Sequence, residues 1–249
     1  MPRYLFTGTV LPERALLTLS WEVKKFIHIS TGNTGRAQVS ILLNQVAAWI
    51  EADQRWDIFD LRNVVRNLIQ THLSMIGFIR GFAYDLAIAR VLCPEENVDH
   101  VFGIDIACIP DRGKDLNLQT ELERLCPLTS GPLGIFIDRC FSDLVSAMKH
   151  ADDTGFYCYR AIESLRHHCA SKCGLEDSDR AIQWTKFREL SKCTEDEIRQ
   201  IKSAADPIRH GKPAESGALD RAALLVATWA VVDRYLAAAL GENKMGQIS

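Results

Sequence analysis

Apolar residues recur at two different periods along this chain, and the change from one to the other divides it. In the first part they alternate. Tyr4 to Leu11, Arg14 to Ser20, Lys24 to Ser30 and Arg36 to Leu43 each read as a strand, separated by Pro12-Glu13 and by the turn signals Thr31-Gly-Asn-Thr-Gly35. Four strands joined by short turns predict an antiparallel meander. The following Asn44 to Asp53 fits a strand or a helix. From Asp57 to Ile76 the period becomes helical: Leu61, Val64, Val65, Leu68, Ile69, His72, Leu73 and Ile76 share one face, Asp57 or Asp60 supplies a cap, and Gly77 marks the end. Phe82 to Leu92 returns to β spacing, and Val101 to Ile109 predicts one more short strand. The expected class is α+β, with residues 1–125 forming an antiparallel sheet and one long helix. Asp111 to Asp115 reads as a surface loop and Cys126 to Gly134, with its prolines and glycines, as the linker.

Beyond the linker the spacing is helical throughout. Helices are predicted over about 134–150, 153–173, 179–191, 195–210 and 217–240, so residues 134–241 form an all-α bundle of about five helices. The helix from Thr194 is the best marked. Thr194 and Glu197 make a capping box, Ile198, Ile201, Ala205 and Ile208 form its apolar face, and Gly211 supplies the stop. The last helix is apolar around most of its circumference, which suits either the centre of the bundle or a dimer surface.

Composition narrows the picture. The 249 residues are 47% hydrophobic, ample for buried cores, and a net charge of -3 spread along both halves excludes a basic nucleic-acid-binding arm. The N-terminus lacks the apolar run of a signal peptide, and Ala222 to Val232, the longest apolar run, is about half a membrane span. A cytoplasmic protein with no membrane partner is expected. Eight cysteines, with no CxxC pair, read as reduced thiols inside apolar patterns.

Candidate chemistry gathers in two helices. The 195–210 helix closes on Arg209-His210-Gly211. In the second bundle helix, Phe156-Tyr-Cys-Tyr-Arg-Ala-Ile-Glu-Ser-Leu-Arg-His-His168, Arg160, Glu163 and His167 stand at i, i+3 and i+7 and share a stripe that suits a phosphate or a tuned imidazole. An Arg160–Glu163 ion pair is the plain alternative. His167, His168, Cys169 and Cys173 resemble part of a zinc site, but no second paired set completes four ligands, so no metal and no cofactor are expected. Gly32-Asn-Thr-Gly35 and Gly131-Pro-Leu-Gly134 lack the Lys-Ser/Thr of a phosphate loop and read as turns. Trp184, Phe187 and Leu190 keep helical spacing and read as core.

Together, the Tyr-Arg-x-x-Glu helix, the Trp184-x-x-Phe187-x-x-Leu190 helix and the helix ending in Arg-His-Gly resemble the HEPN superfamily of helical bundles, over about residues 134–240. In active members of that family an Arg, usually followed by a polar residue, stands four to six residues before a His, and the pair cleaves RNA without a metal. The resemblance implies RNA binding and metal-independent cleavage in a stress or defence setting, with sites that often form between two protomers. Carried onto this chain, it casts Arg209, His210 and His167 as the catalytic candidates and Arg160, Glu163 and Arg166 as the binding residues. The pattern departs at 214–216, where Ala, Glu and Ser replace the downstream His. Arg160 with His167, and Arg66-Asn67 with His72, meet the loose spacing elsewhere. The partners expected are RNA, or a second copy of the chain. The alternative is a non-catalytic module with a protein partner, in which Arg160 and Glu163 belong to a buried network at the exit of the 195–210 helix.

Overall fold

A computed structural model describes residues 1–28, 31–103, 108–109, 115–212 and 220–245, the last with side chains to 241. The chain divides into two compact units, Met1–Asp105 and Ile106–Ser249. The first is a six-stranded antiparallel sheet with one long helix and the second is helical, an α+β chain as expected. The strands are β1 (Arg3–Leu11), β2 (Leu19–Ile27), β3 (Thr34–Leu42), β4 (Gln45–Ala52), β5 (Asp85–Cys93) and β6 (Val98–Val101). The helices are α1 (Ile58–Arg80), then α2 (Leu118–Thr129), α3 (Gly134–Lys149), α4 (Thr154–Lys172), α5 (Arg180–Ser191), α6 (Glu195–Arg209) and α7 (Arg221–Met245).

The sheet runs β2-β3-β4-β1-β5-β6, so the expected four-strand meander holds only for β2 to β4, and β1 pairs with β4 and β5 instead of β2. Asn44 explains the detour. It is buried, and its Oδ1 accepts from the Leu17 amide at 2.6 Å while its Nδ2 donates to the carbonyls of Glu13 and Pro12. These bonds fasten the loop after β1 to the β3–β4 turn. The strand expected at Arg14 to Ser20 is therefore mostly a short 3-10 turn over Glu13–Ala15 and a loop. Lys24 does not open a new strand either: a bulge between Val23 and Phe26 reverses the parity of β2, leaving both lysines outside and Phe26 in the core. Residues 29 and 30 of that expected strand lie outside the described residues. The ambiguous segment after Asn44 is β4, with Val46, Ala48, Ile50 and Ala52 facing inward and Trp49 outward beneath the Arg3 guanidinium.

Leu43 and Asn44 both have positive φ, 47° and 69°, as a two-residue hairpin turn of type I′ requires. Leu16, at φ 48° and ψ 41°, is also left-handed. A leucine on such backbone costs roughly 1–2 kcal/mol relative to the right-handed region.

Asp57 caps α1, its carboxylate accepting from the amides of Phe59 at 2.9 Å and Asp60 at 3.1 Å. Leu61, Val65, Ile69 and Leu73 bury one stripe into the sheet core. The helix passes the expected stop at Gly77 and ends at Gly81, φ 70°. Gly77 serves packing: a Cβ there would sit 2.5 Å from the Phe82 carbonyl oxygen. β6 forms earlier than expected, at Val98–Val101, while residues 104–107 and the loop residues 111–114 lie outside the described residues.

In the second unit the first part of the predicted linker, Cys126 to Thr129, is helix, and only residues 130–133 form a turn before α3. α2 starts on Asn117, whose Oδ1 accepts from the Thr120 amide at 3.0 Å, and runs through Cys126 and Pro127 to Thr129. The sequence reading failed here because the proline sits in the last turn, where it ends a helix instead of preventing one. The other five helices lie close to expectation. α4 takes the centre, packing against α3, α5, α6 and α7, with Cys158, Ile162, Leu165 and Cys169 buried. Its Gly155 permits a close crossing with α6, since a Cβ there would meet the Ala204 carbonyl oxygen at 2.5 Å. The capping box of α6 is present in both directions: the Glu197 amide donates to Thr194 Oγ1 at 3.2 Å, and the Thr194 amide to Glu197 Oε2 at 2.7 Å. α7 buries Leu224, Leu225, Val231, Val232, Tyr235 and Leu236 and leaves Val226 exposed. By length and composition Arg221–Gly241 could cross a membrane, but half of its most apolar window is buried inside the helical unit, as a core helix requires. Residues 213–219, where its start was expected, lie outside the described residues.

Candidate functional site

The helical period of α4 points Tyr159, Glu163 and Arg166 toward α5, with His167 at the rim. Arg166 is 4% exposed. One terminal nitrogen of its guanidinium donates to Gln183 Oε1, the other lies 2.7 Å from His167 Nε2, and the plane covers Trp184 with its centre 5.3 Å from the ring. Its Nε is buried and has no hydrogen-bond partner among the described residues. Gln183 is held from behind, since its Nε2 donates to the carbonyls of Leu175, Glu176 and Ser178 and so closes the α4–α5 loop. The amide oxygen is thereby forced toward Arg166.

Glu163 pairs with Arg180 from the first turn of α5. Tyr159, almost fully buried, stacks on Trp184 with the ring centres 6.2 Å apart, and the Arg209 guanidinium lies 5.7 Å above the Tyr159 ring. Arg209 also pairs with Asp206 at 3.7 Å. Burial, with Glu163 nearby, raises the Tyr159 pKa, and Arg180 and Arg209 oppose that rise.

The electrostatics of His167 define the cluster. Its ring stacks on Phe136 of α3 at 5.9 Å. Loss of solvent around the ring, and next the charge of Arg166, hold its pKa below the ordinary imidazole value; Arg180 and Arg139 push the same way, and Glu163 alone opposes them. Burial, with Arg180 second, likewise lowers the pKa of Arg166. A neutral His167 that accepts from Arg166 at Nε2 carries its proton on Nδ1.

The structure thus brings together Glu163, Arg166 and His167 on α4 and, through Tyr159, Arg209 on α6. It does not bring in Arg160, which turns to α3 and pairs with Asp143 Oδ1 at 3.3 Å. The expected alternatives for Arg160, a bond to Glu163 or to the exit of α6, are replaced by this contact because Asp143 is a buried carboxylate whose other oxygen has no hydrogen-bond partner among the described residues. Burial raises the Asp143 pKa, and Arg160 and Arg139 pull it back. His210 stands apart, exposed beyond α6, its amide closing the helix on the Asp206 and Pro207 carbonyls; among the described residues no side-chain contact joins it to the cluster. Arg66 and His72 belong to the other unit, where Arg66 pairs with Asp85 and His72 stacks on Trp21.

Sequence reasoning missed Arg180 and Gln183, and took Tyr159 only as part of the Tyr-Arg-x-x-Glu pattern. Arg180 carried a signal: a cation in the first turn of a helix opposes the dipole and calls for an acid from elsewhere. Gln183 carried none, because its role depends on the path of the preceding loop. Trp184 is half-buried against the core, with Tyr159 and Arg166 both packed on its ring, as its helical spacing suggested. Among the described residues no group of three or more His, Cys, Asp or Glu is placed to hold a metal ion. None of the eight cysteines forms a disulfide; Cys93, Cys140, Cys158, Cys169 and Cys193 are buried, and burial pushes the Cys158 thiol up to about 11.

Residues 4–102 match the family model described as the N-terminal domain of a domain of unknown function, DUF8168, and residues 122–240 match the model of its C-terminal domain. No curated protein and no solved structure matches the chain. The two matched spans fall one in each compact unit, on either side of the division between Asp105 and Ile106. Matched in both domains, in order and over most of its length, the chain belongs to the DUF8168 family.

Proposed function

We propose that the helical unit is a cytoplasmic, RNA-directed module of HEPN-like type and that the Arg166–His167–Arg180 cluster receives an RNA phosphate. One observation carries this reading. Three guanidiniums, Arg139, Arg166 and Arg180, act on one imidazole against a single carboxylate, on a chain whose net charge is -3. Such a local excess of positive charge favours an anion, and a phosphate oxygen is a suitable partner for the Arg166 guanidinium, whose hydrogen-bond partners are a neutral amide and an imidazole and not a carboxylate. Arg209, exposed beside Tyr159, extends the same positive edge.

The Arg166–His167 contact supports one order of proton transfer. While Arg166 donates to Nε2 of His167, that nitrogen has no free lone pair for a base. A phosphate that draws the Arg166 donors to itself releases Nε2, and the neutral ring then takes the proton of the ribose 2′-hydroxyl. The O2′–P bond forms as the P–O5′ bond breaks, and the departing 5′ oxygen takes a proton from solvent water. His167 is the proton acceptor in this scheme, Arg166 and Arg180 hold the phosphate, Glu163 positions Arg180, and His210 takes no part.

A second reading has its own support. Arg160–Asp143, Glu163–Arg180 and Arg166–Gln183 each span two helices, as the polar network of a non-catalytic interaction module would. Incubation of the full chain with a mixed single-stranded RNA pool in EDTA separates the two. The RNA reading expects cleavage that is lost in His167→Ala, and retention of RNA that weakens at least tenfold in Arg180→Ala and falls steeply with salt. Folded wild-type protein that neither cuts nor retains RNA leaves the network reading standing.

A further inference from the structure

The topology gathers most of the exposed large apolar side chains of the sheet unit at one end of it. β1 leaves the sheet at Leu11, opposite Asp85 where β5 begins, and the β3–β4 turn reaches the same end at Leu42 and Leu43. α1 ends there as well, because only residues 81–84 join it to β5. From the loops come Leu11, Leu16, Leu42 and Leu43; from the helix exit come Phe78, Ile79 and Phe82. Phe78 is 91% exposed, Ile79 79%, Leu16 65% and Leu43 60%.

This is not loose decoration. The Asn44 bonds fix the two leucine loops to one another, and the Leu43 amide adds a bond to Thr18 Oγ1 at 3.1 Å. Leu16 and Leu43 hold left-handed backbone where glycine or asparagine would be at ease, so strain is retained to aim bulky apolar groups at solvent. Summed over the seven side chains, the exposed apolar surface at this end is on the order of 900 Å².

We propose that this end of the sheet unit is the interface of a homodimer, each copy offering the same end to the other across a two-fold axis. The area meets the need, since a stable interface buries about 800 Å² per partner. The charges agree. Glu13, Arg14 and Arg80 are all exposed at this end, so the rim carries both signs and complements itself on a second copy. A lipid surface selects basic residues around its apolar anchors, and the acidic Glu13 does not suit it.

Sedimentation equilibrium of the full chain across the micromolar range tests the proposal, with two double variants at different parts of the patch: Leu16→Asn/Leu43→Asn and Phe78→Ser/Ile79→Ser. The wild type should be a dimer, and each double variant should associate at least tenfold more weakly. The asparagine pair relieves backbone strain, so its melting temperature should hold or rise once both proteins are compared as monomers, which separates lost association from lost folding. A wild type that stays monomeric throughout overturns the proposal, as does one that sediments with phosphatidylcholine vesicles while remaining monomeric. Dimerisation that survives both variants and is abolished by Ala230→Arg on the outer face of α7 also overturns it.

Discussion

The Tyr235 hydroxyl lies 2.7 Å from Nδ1 of His168, both buried, and this contact binds α7 to the central helix. Burial, and after it the charge of Lys172, holds the His168 pKa below the ordinary value. The folded state therefore resists protonation that the unfolded chain accepts. Above the unfolded value of about 6.5 neither state is protonated and the contribution is constant. As pH falls below it, the unfolded chain takes the proton first and stability drops until the folded pKa is passed. Urea midpoints measured from pH 8 to 5 should decline across this window, and His168→Gln should flatten part of the decline. An unchanged slope in the variant would remove His168 from the account.

Gln183 and Arg180 both partner α4, yet their removal should differ sharply. Gln183→Leu leaves the buried Arg166 guanidinium and three loop carbonyls short of partners, at a cost of about 2–3 kcal/mol. Arg180→Ala breaks an ion pair whose arginine is more than half exposed, worth under about 1 kcal/mol after screening by water. Chemical denaturation of the two single variants measures the contrast. If Arg180→Ala proves as harmful as Gln183→Leu, the cluster is held by its charges and not by its buried amide.

Gly155→Val should destabilise the helical unit by about 1–3 kcal/mol, because the new side chain meets the Ala204 carbonyl across the α4–α6 crossing. Gly174→Ala, with open space around its Cβ but φ 66°, should cost about 1 kcal/mol through backbone strain alone. A larger loss at Gly174 than at Gly155 would contradict the crossing.

Leu43→Asn should raise stability by about 0.5–1 kcal/mol, since asparagine tolerates the left-handed conformation of a type I′ turn. The urea midpoint of the monomeric protein reads it. A loss would mean that Leu43 makes apolar contacts worth more than the strain it carries.

Much of the fold was legible because periodicity is a property of single elements. Leu61, Val65, Ile69 and Leu73 announced α1, and the Thr194–Glu197 pair announced α6 and its cap. What was not legible depended on residues far apart in sequence. Lys24-Lys25 looked like a strand boundary because a bulge, invisible without the partner strand, had reversed the alternation. Gly77 looked like a stop because its close neighbour, Phe82, returns only after the chain turns at Gly81. At the candidate site, the α4 motif gave Glu163, Arg166 and His167, but the partners that decide their chemistry come from α3 and α5. Arg160 was read as facing the exit of α6, and the buried Asp143 draws it the other way. His210 shared a tripeptide with Arg209 and not a location.

The place of β1 sets the order in which the first unit can be completed. β2, β3 and β4 are joined by short turns and can pair as they emerge, and β5 with β6 form a second local hairpin. Residues 3–11 lie between these two pieces and bond to both, so the earliest segment of the sheet is also its keystone. Its last partner begins at Asp85, more than seventy residues later, and until then its β5 edge stays open to any other extended chain. Deleting residues 3–11 would leave two half-sheets with facing raw edges, each closer to an aggregate than to a smaller domain.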